Sequence, residues 1–150
     1  MPLTRIQTDG LGANQALSIV RVLETANVYT TPIGGNVNID ISNNTVYFFN
    51  ANTTANVTFN LRANGAFTFD SGVQIGQTSS VAIAVRHGTT RHTANVLIDG
   101  VLQTPYFIGN TRPGSATITS QEINIFAYTV FKTGSAAYQV LASNTLFGLG

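Results

Sequence analysis

Apolar side chains in this chain recur at every second position, in short runs broken by Asn, Ser and Gly. Val37, Ile39 and Ile41 alternate with Asn36, Asn38 and Asp40. Val57, Phe59 and Leu61 alternate with Thr58, Asn60 and Arg62, and Val81, Ile83 and Val85 share one face of 80–86. Successive side chains of a strand point to opposite faces, so this rhythm specifies half-buried strands and leaves no helical period beyond Asn27. Polar turns separate the runs, at Ser42-Asn43-Asn44 and again from Asn50 to Thr54. Asn64-Gly65 and Asp99-Gly100 stand between apolar alternations. A two-residue type I′ turn needs positive φ at both central positions, which such dipeptides tolerate best. The first therefore predicts a hairpin continuing through Phe67 and Phe69. The second predicts a hairpin from 93–99 into 101–108, with Pro105 marking an edge or a bulge. Glu122 to Lys132 predicts the longest strand. Both of its faces are largely apolar, which places it centrally or covers it on both sides.

About ten short strands with turn chemistry between them predict an all-β chain, an antiparallel β-sandwich of jelly-roll-like form in a single domain. Residues 1–17 read as a flexible N-terminal arm, 18–143 as the sandwich domain and 144–150 as a C-terminal tail. Within the domain, 18–24 reads as the first strand because β-branched residues cluster there. No internal repeat is evident.

Charge sets the surface apart. Only 9% of the 150 residues are Asp, Glu, Lys or Arg, against roughly 25% in ordinary domains. Six arginines and the single Lys132 face six scattered acids, with no basic block to follow a phosphate backbone, so nucleic acid is not an expected partner. Thr and Asn supply 21 and 15 residues instead. A nearly neutral surface is poorly protected against association, so much of it is expected to lie in permanent contacts. The absence of cysteine excludes thiolate metal sites and thiol catalysis. No phosphate-binding, nucleophile-elbow or metalloprotease motif is present, and the acids stand apart, several beside turn glycines. The expectation is a protein without enzymatic activity, cofactor or metal. The N-terminal residues show no signal-like apolar run, and no stretch reaches the length of a membrane helix, so neither export nor membrane insertion is expected.

Two groups of residues are candidates for contact. Arg86, His87, Arg91 and His92 gather both histidines and two arginines at a predicted hairpin tip, a candidate recognition loop for an anion, a sugar or a partner chain. Leu3, Ile6 and Leu11 are apolar residues on the arm, suited to attachment against a neighbour. The tyrosines and phenylalanines offer either a sugar-stacking platform or, more simply, the core.

The opening Met1-Pro2-Leu3-Thr4-Arg5-Ile6, the runs 36–41 and 45–48, Gly76-Gln77-Thr78, Val96 to Gly100, Ile123 to Gly134 and Tyr138 to Ser143 resemble small virion structural proteins of tailed phages, especially cyanophages. The resemblance covers most of 30–147 and rests on strand and turn patterns. It implies a virion part, either a tail-fibre-like appendage or a capsid decoration protein. It also implies a homo-oligomer, expected to be a trimer, in contact with other virion proteins. Fibre proteins are longer and carry a shaft, so a small adaptor, knob or decoration suits this chain better. The alternative is a carbohydrate-binding β-sandwich module, lectin-like, directed at a host-surface glycan.

Overall fold

The computed structural model describes residues 25–88, 95–110 and 122–148. The arm with Leu3, Ile6 and Leu11, the strand expected over 18–24, and Arg91 and His92 lie outside them. Ten strands follow in order: β1 (Ala26–Tyr29), β2 (Gly35–Asp40), β3 (Val46–Phe49), β4 (Val57–Arg62), β5 (Thr78–Arg86), β6 (Val96–Ile98), β7 (Val101–Gln103), β8 (Tyr106–Phe107), β9 (Ile123–Gly134) and β10 (Ala137–Phe147). A one-turn helix, α1 (Phe69–Gly72), separates β4 from β5.

The strands form two sheets. One has the order β1-β3-β5-β9-β10-β8, the other β2-β4-β6-β7. The chain is all-β, but the expected antiparallel arrangement does not hold. Among the described residues five of the eight strand pairings are parallel and three antiparallel. The cause is the path of the chain. From β1 to β6 it crosses to the other sheet after every strand, so each return to a sheet runs in the direction of the last. Ala26 pairs with Val46 and Gly35 with Val57, offsets of 20 and 22 residues. The next returns, Val46 to Ala82 and Phe59 to Val96, are longer because the segment carrying α1 is inserted. This is a quasi-repeat of the backbone without an obvious repeat of sequence. The two long antiparallel strands β9 and β10 then complete the larger sheet.

The inward rows of both sheets meet in one core. Ile39, Phe59, Leu61, Val96 and Ile98 come from the smaller sheet; Tyr47, Phe49, Ile83, Val85, Phe126 and Tyr128 come from the larger. Phe59 bridges them, its ring 6.1 Å from Phe49 and 6.2 Å from Phe126. The expectation of core aromatics therefore holds for these rings, while Tyr106 stands exposed at the β8 edge.

Local signals fared unevenly. Asp99 and Gly100 take φ of 51° and 81° and join β6 to β7 in a two-residue turn, as their sequence predicts. Asn64-Gly65 does not make the predicted hairpin. The Asn64 side-chain oxygen instead accepts from the backbone N–H groups of Ala66 and Phe67, and the chain passes to Thr68, which caps α1 through Ser71 N. The residues 67–69 expected as a returning strand thus form a loop and the start of α1. Finally, β10 runs on through Phe147, which pairs with Ile123, so 144–147 belong to the sheet and not to a tail.

Candidate functional site

The recognition loop inferred from charge is not built as expected at its described end. Arg86 is the last residue of β5, and its guanidinium donates to Asn50 Oδ1 from Nε and Nη2 at 3.2 and 3.0 Å. His87 is fully buried, 0% exposed, and its backbone N–H donates to the Glu122 carbonyl at 2.8 Å. Burial lowers its pKa, and the nearby Glu122 carboxylate offsets this in part. Gly88 follows in close contact with the 50–54 loop. A Cβ there would lie 2.4 Å from the Thr53 carbonyl oxygen, so only glycine fits. A buried imidazole is not a surface contact group, which corrects the reading of His87 as part of a recognition loop.

The six-stranded sheet presents a different candidate. Its outward positions can be read across the strands from the register. One row runs Ala26, Val46, Ala82, Ala127, Ser143. The next runs Val28, Phe48, Ala84, Ile125, Thr145. A third holds Ser80, Thr129, Leu141 and Tyr106, and a fourth Arg86, Ile123 and Phe147. Among the described residues of these rows Arg86 is the one charge, and Asn50 engages it. Leu141 is 43% exposed, Phe147 52% and Tyr106 65%. A shallow groove of about 350 Å³ lies where β8 ends beside β10, lined by Tyr106, Ile108, Ala127 and Leu141 among others. The two apolar faces of 122–132 were legible in the sequence as a strand central in its sheet or covered on both sides, and β9 is central, between β5 and β10.

The outer face of the smaller sheet is polar on β2 and β4, and its row through Asn38 and Asn60 continues into the apolar Leu97 and Leu102. Asn38 and Asn60 are cross-strand partners, with Asn60 Nδ2 donating to Asn38 Oδ1 at 2.8 Å. Beside them Arg62 Nε donates to Asp40 Oδ1 at 2.5 Å. The molecule thus has one face nearly free of charge and one whose β2–β4 half carries amides and an ion pair.

A third polar cluster is structural. Lys132 lies on the inward face of β9, 6% exposed. Its ammonium pairs with Asp70 Oδ1 at 2.8 Å and donates to the carbonyls of Asp70 and Val73, so α1 is fixed to β9. Asp70 also accepts from Ala136 N at 2.8 Å and from the Tyr138 hydroxyl at 3.2 Å. Hydrogen bonds from Lys132 and Ala136 hold its carboxyl below the usual aspartate range. Nothing in the local sequence pairs Asp70 with Lys132, 62 residues away.

Among the described residues no group of three or more His, Cys, Asp or Glu side chains is placed to hold a metal ion, and no helix is long and apolar enough to cross a membrane. No protein-family model, curated protein or solved structure matches the chain.

Proposed function

We propose that this chain is a non-enzymatic structural protein of a tailed-phage virion, a small tail appendage or capsid decoration, assembled from copies of itself through the outer face of the six-stranded sheet. The observation that carries this reading is the charge-poor, largely apolar face formed by the rows through Ala82, Ala127 and Leu141. The 42 residues of its six strands, at a rise of about 3.4 Å per residue and about 4.8 Å between strands, give it an area on the order of 700 Å². One partner in a standard protein interface contributes about 800 Å². A contiguous apolar patch above a few hundred Å² on a free monomer marks a contact surface. The sequence resemblance supplies the virion setting. The two sheets act as the layers of a sandwich, one layer turned to the neighbouring copies.

In the expected trimer, three such faces turn toward a common axis and exclude water from it. The test is the solution mass of the full chain by light scattering after gel filtration at low and high salt. The expected result is three times the 15.9 kDa chain mass, unchanged by salt, because apolar contact is not screened. Ala127→Glu places a carboxylate in the middle of the face and should give a folded monomer. A wild-type monomer at both salts overturns the reading.

A further inference from the structure

The loop between β4 and α1 and the β6–β7 turn enclose an open cleft of about 300 Å³ at the end of the polar sheet face. Asn60, Arg62, Asn64, Phe67 and Asp99 line it. Phe67 is 61% exposed at its rim, the one ring among these polar groups. We propose that this cleft binds a neutral pyranose sugar, its ring face seated on Phe67 and its hydroxyls on Asp99, Arg62 and Asn60.

The polar groups are held in place before any ligand arrives. Asp99 Oδ1 accepts from Phe69 N at 2.6 Å and Oδ2 from Asp70 N at 3.0 Å, which fixes the carboxylate plane. A carboxylate has about four acceptor sites, so each oxygen retains capacity toward the cleft. Arg62 is anchored to Asp40 through Nε and Nη2, two of the five N–H donors of a guanidinium. Asn60 is pinned between Asn38 and the backbone N–H of Gly100, the latter at 2.8 Å. Fixed groups of this kind lose little entropy on binding.

A sugar presents what such a site takes. Neighbouring hydroxyls each donate and accept, and they match the paired atoms of a carboxylate or a guanidinium. The C–H face of the ring is apolar and suits an exposed phenyl ring. Asp40, outside the lining, pairs with Arg62 and offsets its charge, which leaves the Asp99 carboxylate, so the cleft favours a neutral sugar over an anionic one. The outer rows of the six-stranded sheet hold no carboxylate among the described residues, and their one guanidinium, Arg86, is engaged by Asn50, so the proposal stands independently of assembly.

The test is a titration of the 15N-labelled full chain with glucose, galactose, mannose and, separately, glucuronate. At least one neutral sugar should shift the amide signals of Asn60, Asn64, Phe67 and Gly100, with a Kd of about 1 mM. Phe67→Ala should weaken that binding about tenfold, and Asp99→Asn should also weaken it. Phe67→Leu removes the ring face while keeping the rim apolar, and it replaces the alanine variant if that one fails to fold. Four results overturn the proposal: no shift with any neutral sugar, shifts confined to the six-stranded sheet, unchanged affinity in the Phe67 variant, or tighter binding of glucuronate.

Discussion

His87 continues the inward row of β5, after Val81, Ile83 and Val85, and shares their burial. That position was legible from the two-residue rhythm. Counting charge instead grouped it with its arginine neighbours, and composition carries no information about which way a side chain points. The consequence is a pH dependence. Burial holds His87 neutral with a pKa below its ordinary 6.5. The unfolded chain then binds the proton more readily than the folded one, so stability rises with pH across this window and is lost as pH falls below about 6.5. Urea midpoints measured from pH 7.5 to 5 should decline, and His87→Phe should flatten that decline. Asp70 acts in the same direction at lower pH. Its depressed pKa contributes stability above the ordinary value of 3.8 that is lost as pH falls through the folded value.

At the scale of elements, alternation located the strands but not their direction, because a parallel and an antiparallel strand show the same period of two. Direction depends on whether the chain stays in its sheet or crosses, and crossing leaves no mark in a polar turn of ordinary length. Asp99-Gly100 was readable because φ alone decides that turn. Asn64-Gly65 was not, because the Asn64 side chain satisfied backbone donors locally and sent the chain into α1. The small helix then depends on distant groups. Gly72 packs so closely on Ala63 that an added Cβ would stand 2.5 Å from it. Lys132 holds the other side through Asp70 and Val73. Lys132→Ala removes the ammonium that holds Asp70 and the Val73 carbonyl and should lower the urea midpoint. Lys132→Arg, which keeps the charge but enlarges the head group, should lower it less.

The whole molecule divides its surface chemistry between two sheets. The alternation made both faces of 122–132 visible as apolar, whereas the cleft at the other sheet was hidden, since Asn60, Phe67 and Asp99 come together only when α1 and the β6–β7 turn meet. The proposed assembly and the proposed sugar site therefore sit on opposite layers, and Ala127→Glu and Phe67→Ala should act separately, the first on mass alone and the second on binding alone. The placement of Lys132 has one more consequence. It is the sole lysine of the chain, and it is enclosed behind α1. Amine-directed dyes and cross-linkers therefore find no side-chain target on the folded surface. Labelling at Lys132 becomes a clock for the opening of α1, and subunit contacts must be mapped with reagents aimed at carboxylates or aromatic rings.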